Sequence, residues 1–163
     1  MSLNLTSTPA TPSALGLRVP DFTAPSTGGD FTLSAQAGRP VVLYFYPKDN
    51  TPGCTTQAQQ FRDLHAEFLK AGAVVIGVSR DSLKSHENFK SKLGLPFELV
   101  SDIEGVLCRM FDVVKNKMLY GKKVLGIERS TFLIDASGIL RHEWRATKAD
   151  GNAAAVLEVV RAL

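Results

Sequence analysis

Sulfur, histidine and tryptophan are scarce in this 163-residue chain, which has two cysteines, three histidines and one tryptophan. Two thiols cannot build a disulfide-stapled secreted scaffold, and they point to a reducing compartment, the cytoplasm. His65, His86 and His142 share no metal-ligand spacing, so no metal is assigned. No apolar run approaches the ~20 residues that span a bilayer. The N-terminus lacks the basic region and apolar segment of a secretory signal. A net charge of +3 with no stripe of basic and aromatic residues gives no reason to expect nucleic-acid binding.

What is there is the composition of a soluble globular domain, 44% apolar and 21% charged, in a chain long enough to bury one substantial core. Residues 1–16, rich in Ser, Thr, Pro and Ala, read as a flexible leader, and residues 17–163 as a single domain. Asp21–Ala24 and Asp30–Leu33, on either side of Gly28-Gly29, predict an N-terminal β-hairpin. Val41–Tyr46, Ala73–Ser79 and Phe97–Ser101 are expected as buried strands. Ser130–Asp135 and Ile139–Arg145 predict a second hairpin.

Helices are expected over Cys54–Lys70, from a cap at Asp81 or Ser82 to Leu93 with Gly94 closing it, over Asp102–Asp112, and over Asn152–Leu163. In the third of these, Ile103, Val106, Leu107, Met110 and Phe111 form the apolar stripe. Cys108 lies to one side of that stripe and need not be deeply buried. Lys115, Lys117, Lys122 and Lys123 are expected in a solvated loop, with Gly121 serving a turn. Trp144 and the nine phenylalanines are expected in the core, and His65 and His86 as hydrogen-bonded residues at its boundary. Strands alternating with helices imply an α/β fold, a central mixed β-sheet with helices on both faces.

The chemistry concentrates in Tyr46-Pro47-Lys48-Asp49-Asn50-Thr51-Pro52-Gly53-Cys54. Pro47 ends the first long strand, and Cys54 falls where a helical pattern begins. A thiol there meets unpaired amides and the positive end of the helix dipole, which favour the thiolate, the nucleophilic form. Thr51 can bring a hydroxyl to the sulfur, the Gly53 and Cys54 amides can point at the same spot, and Pro47 and Pro52 stiffen the loop. Such a constellation can cleave a peroxide O–O bond, which needs an anionic nucleophile, donors for charge on the leaving oxygen, and a shaped pocket.

The pattern P-x-x-x-T-x-x-C, carried by Pro47, Thr51 and Cys54, resembles the signature of the peroxiredoxins. The longer string YFYPKDNTPGCTTQ is similar to that of the PrxQ branch, also called bacterioferritin comigratory proteins. Gly77-Val78-Ser79-Arg80-Asp81-Ser82, Tyr120-Gly121-Lys122 and the stretch from Ile127 to Asp135 agree with it. The resemblance implies a thioredoxin-like fold and a thiol-dependent peroxidase with no metal or organic cofactor. It implies that Cys54 is the peroxidatic cysteine, that Thr51 hydrogen-bonds sulfur and substrate, and that Pro47 shields the thiolate. It also implies that Arg129 favours the thiolate and, with Thr51 and Gly53, holds the peroxide. The product would be a sulfenic acid at Cys54 that a thiol must reduce. The partners implied are a hydroperoxide, and thioredoxin or glutathione with glutaredoxin as reductant. A monomer is expected, with a weak homodimer as the alternative.

The chain departs from the branch at the resolving cysteine. Members often carry it, one subgroup five residues and another thirty-six residues after the peroxidatic one, and here those positions are Gln59 and Lys90. One-cysteine chemistry with an external thiol is therefore expected. A two-cysteine cycle with Cys108 resolving is the alternative. Two other classes compete. A thiol–disulfide oxidoreductase would need C-x-x-C, but Thr55, Thr56 and Gln57 follow Cys54. A redox sensor or holdase chaperone would not need Pro47, Thr51 and Arg129 as a set.

Overall fold

The computed structural model describes residues 13–163. Strands β1 (Thr23–Ser26) and β2 (Gly29–Thr32) form the N-terminal hairpin. They are followed by β3 (Val41–Phe45), α1 (Pro52–Asp63), α2 (His65–Lys70), β4 (Val74–Ser79), α3 (Leu83–Leu93), β5 (Glu98–Ser101) and α4 (Val106–Met110). Then come β6 (Val114–Leu119), β7 (Lys122–Ile127), β8 (Ser130–Ile134), β9 (Leu140–Trp144) and α5 (Asn152–Arg161). Seven strands make one mixed sheet in the order β2-β1-β5-β4-β3-β8-β9, and β6 and β7 form a separate two-stranded sheet. Of the expected leader, residues 1–12 lie outside the described residues. The remainder is tied to the fold, since Ser13 N donates to Met110 O at 3.0 Å and Gly16 N to Leu140 O at 2.8 Å.

Strand β3 is apolar throughout because both of its faces are covered. Val41, Leu43 and Phe45 enter one core with Leu107, Cys108, Met110 and Phe132. Val42, Tyr44 and Tyr46 enter the other, with Cys54, Phe61, Phe68, Phe89 and Val156. Alternation along the strand thus sends neighbouring residues to opposite cores. Four helices (α1, α2, α3 and α5) cover one face, and the short α4 lies on the other. All nine phenylalanines are buried, each contributing on the order of 1.5–3 kcal/mol. Trp144 is only half-buried.

β3 runs parallel to β4 and antiparallel to β8, with Phe45 opposite both Val78 and Ser130. This register brings the end of β3, the end of β4 and the start of β8 to one edge. The loop after β3 therefore leaves beside Arg129, 75 residues further along the chain from Cys54.

Several sequence expectations need correction. The helix expected over Cys54–Lys70 breaks at Leu64, whose φ of −98° and ψ of 2° leave the helical region. The helix expected over Asp102–Asp112 spans only Val106–Met110, because Gly105, with φ 73°, ends a turn and starts the helix there. Ile103 precedes the helix and is 57% exposed, so it anchors no stripe, and Cys108 is fully buried. The lysine-rich stretch is a two-stranded ribbon, not a loop. Tyr120 and Gly121, with φ of 51° and 76°, make its two-residue turn, as hairpins of this length require. Finally, His86 is not at a boundary but wholly buried.

Candidate active site

Thr51 is extended (φ −89°, ψ 153°) and precedes α1, with Pro52 at the first helical position. Proline suits that place because its φ is preset and its missing N–H would have had no partner. The first helical bond runs from Thr55 N to Thr51 O at 2.9 Å, so the Gly53 and Cys54 amides precede the ladder. Cys54 sits in this first turn, only 1% exposed. Pro47 and Thr51 are half-buried beside it in the chain. The Thr51 hydroxyl donates to Lys48 O at 2.8 Å, closing the loop on itself.

Arg129 reaches this turn from the start of β8. Its Nη2 lies 3.5 Å from Cys54 Sγ, and its Nη1 donates to Gln57 Oε1 at 2.6 Å. Among the described residues it has no carboxylate partner, and its guanidinium faces the sulfur. A Cβ at Gly53 would stand 3.0 Å from Arg129 Nη2, which explains a glycine where the guanidinium passes. Arg129 is fixed in turn by a chain of amides. Gln57 Nε2 donates to Asn152 Oδ1 at 3.0 Å, Thr131 Oγ donates to the same oxygen at 2.8 Å, and Thr147 N donates to Arg129 O at 2.9 Å.

Gln57, Thr131 and Asn152 are buried polar residues that the sequence reading did not single out. Gln57 carried a signal, since it stands three residues after Cys54 on the same helix face. Asn152 and Thr131 carried none, because they meet Gln57 only through the packing of α5 and β8.

Two further polar groups lie near the sulfur. Tyr44 is fully buried, and its hydroxyl has no hydrogen-bond partner among the described residues. Burial, followed by the negative charges of Cys54 and Asp49, holds its phenol well above the ordinary value, although Arg129 opposes this. Asp49, in the loop itself, is 4% exposed and faces His86 Nδ1 at 2.8 Å. Burial is the largest influence on it and pushes its pKa up, since it disfavours the charged form. Hydrogen bonds from His86, Tyr46 and Ser85 and the charge of His86 outweigh that, leaving it below the usual carboxylate range. Asp49, Asp81 and His86 together bring metal-ligating atoms within 4.8 Å of one another. Asp49 Oδ2 already accepts from Ser85 and lies against His86, and Asp81 Oδ2 accepts from the Asp49 amide at 3.0 Å. Both carboxylates thus already accept from protein donors, as in a structural latch.

Cys108 belongs to the core on the opposite side of the sheet from Cys54. Burial pushes its thiol far up, and the nearby Asp102 carboxylate adds to this. Asp102 also accepts from the Leu107 and Cys108 amides at 3.1 and 2.9 Å. Gln59 is half-buried on α1, and Lys90 on α3 pairs with Glu98 at 2.7 Å.

The AhpC/TSA family matches residues 15–143. Peroxiredoxin Bcp of Xanthomonas campestris is 56% identical over 137 residues, covering 84% of this chain and 86% of that protein. This chain belongs to the peroxiredoxin family, in its Bcp branch. Peroxiredoxin Bcp of Bacillus subtilis is 48% identical, covering 90% of this peroxiredoxin and 94% of its own length. A peroxiredoxin Q structure from X. campestris superposes with a TM-score of 0.83 at 54% identity, over 86% of this chain and 90% of that one. A cysteine-to-serine variant of peroxiredoxin Q from Xylella fastidiosa gives 0.87 at 42% identity, over 92% and 96%. The fold is thus thioredoxin-like, and the peroxiredoxin is an enzyme of the thiol peroxidase class. No helix among the described residues is long and apolar enough to cross a membrane.

Proposed function

We propose that this peroxiredoxin reduces hydrogen peroxide and alkyl hydroperoxides through Cys54 and is regenerated by an external thiol. The observation that carries this reading is the Arg129 guanidinium 3.5 Å from the Cys54 sulfur in the first turn of a helix. The thiolate attacks one peroxide oxygen, an S–O bond forms as the O–O bond breaks, and the departing oxygen leaves as water or an alcohol after taking up a proton. Arg129 and the Gly53 and Cys54 amides face the charge that develops during that step. Thr51 and Pro47 shape the approach to the sulfur. A bacterioferritin comigratory protein of X. campestris, for which alkyl peroxide reduction was studied in trapped intermediate and ligand complexes, supports the choice of substrate.

The sulfenic acid then condenses with an external thiol, releasing water and leaving a mixed disulfide that a second thiol reduces. Thioredoxin, or glutathione with glutaredoxin, fits that role. Three observations favour this one-cysteine cycle over one resolved by Cys108. The sheet lies between the two sulfurs, burial keeps the Cys108 thiol protonated, and Gln59 and Lys90 stand where related proteins carry a second cysteine. Free-thiol counting and intact mass after one equivalent of hydrogen peroxide test it. A dimedone-trappable sulfenic acid with one thiol left, alike in wild type and Cys108→Ser, is expected. Loss of both thiols in wild type alone would make Cys108 the resolving residue, and no reaction at Cys54 would end the peroxidase reading.

A further inference from the structure

We propose that His86, acting through the buried carboxylate of Asp49, is a positioning residue for the peroxide-binding loop. Asp49 lies between Pro47 and Thr51 and is the loop's anchor. Its Oδ1 accepts from the Tyr46 hydroxyl at 2.6 Å, and its Oδ2 accepts from Ser85 Oγ at 2.8 Å and from His86 Nδ1 at 2.8 Å. Its own amide donates to Asp81 Oδ2. On the far side of the imidazole, His86 Nε2 lies 2.9 Å from the Val100 carbonyl on β5. A carbonyl only accepts, so that nitrogen carries a hydrogen, and the other meets an acceptor carboxylate. The imidazole is wholly buried and bolts the loop to α3 and β5 at once.

The residue after the anchor explains why one is needed. Asn50 has a φ of 64°, the left-handed region, and turns the chain so that Thr51 can begin α1. Asparagine tolerates this better than most residues, yet such a conformation persists only where its surroundings over-determine it. Asp49 supplies that restraint on one side and the Thr51 bond to Lys48 O on the other. Arg129 is held from a different direction, by Gln57 and the amide chain to Asn152. Releasing Asp49 would thus move Thr51 and the Gly53 amide relative to the sulfur while leaving the guanidinium in place. Peroxide alignment would suffer, and the reactivity of the thiolate itself would not.

That separation distinguishes positioning from general support of the fold. The inference rests on Cys54 being the peroxide-reactive thiol. The test compares two reactions of the folded, reduced protein at neutral pH: hydrogen peroxide consumption at Cys54 by stopped flow, and alkylation of Cys54 by iodoacetamide, which needs no peroxide pocket. In His86→Gln the peroxide rate is expected to fall about 30-fold or more, since small misplacements of reacting groups carry penalties of that order, with alkylation within about threefold of wild type. Ser85→Ala, which removes a single bond to the same carboxylate, should lower the peroxide rate about threefold and serves if His86→Gln does not fold. Leu107→Ala, in the core on the other face, controls for lost stability and should leave both rates of the folded protein unchanged. A peroxide rate within twofold of wild type in His86→Gln, or in Ser85→Ala where that variant decides, overturns the inference. So does an equal fall in both reactions. Wild-type protein that does not react with peroxide would instead remove the underlying peroxidase reading.

Discussion

Arg129 shows how much a single residue's role depends on what holds it. One guanidinium nitrogen is bound to Gln57 and the other is turned to the Cys54 sulfur, so the fork is used in both directions. Arg129→Ala should slow the reaction with hydrogen peroxide by about 10²-fold or more, because a preorganised cation at the developing charge is lost. Arg129→Lys should recover only part of this, since an ammonium cannot serve both partners. Stopped-flow traces on the two variants check the order. Tyr44 supplies the converse case, a buried hydroxyl without a partner among the described residues, packed on Gly77 and stacked on Phe61. Tyr44→Phe removes a desolvated polar group and keeps the ring. It should raise stability by up to about 1 kcal/mol, read as a higher urea midpoint with an unchanged slope. The turn that presents Cys54 was legible at this scale from its loop alone, whereas the contact of Gln57 with Arg129 needed the helix to be drawn first.

Elements divide by how well their signals agree. Helix α3 was readable because its two ends are marked. Ser82 Oγ accepts from Ser85 N at 3.2 Å, and Gly94 closes the helix in the left-handed conformation with φ 64°. Ser82→Ala should cost about 1 kcal/mol, measurable by denaturant titration, with Cys54 reactivity retained. Helix α4 was overextended because a wheel drawn from Ile103 assumed a helix that had not yet begun. The β6–β7 ribbon was missed for another reason. Met118, Leu125 and Tyr120 are exposed, at 66%, 63% and 95%, while Ile127 at the base is buried, so apolar side chains facing solvent blur the alternating contrast that marks a strand.

At the scale of the whole molecule, acid is the expected weakness, and Asp49 leads it. Its folded carboxyl sits below the ordinary range, as do those of the more exposed Glu98 and Asp135. Burial is the largest influence on each and acts the other way, but hydrogen bonds and cations prevail. A carboxyl that binds its proton less tightly when folded contributes stability that is complete above its ordinary value, about 4. That contribution disappears as the pH falls through the lower folded value. Urea midpoints should therefore drop between pH 5 and pH 3, and Asp49→Asn should flatten that slope; an equal slope in the variant would show that other groups carry it. The sequence by itself determined the loop that carries Cys54, the strand before it and the helix after it, the alternation of the α/β fold and the absence of a cysteine at Gln59 and Lys90. Each of those follows from neighbours along the chain, where periodicity and turn chemistry act. Only the tertiary structure decided that Arg129 meets Cys54, that Cys108 lies beyond the sheet, and that His86 holds Asp49. These depend on the register Phe45↔Ser130, on which face a side chain enters and on which helix covers it, and such long-range pairings leave no local trace in the sequence.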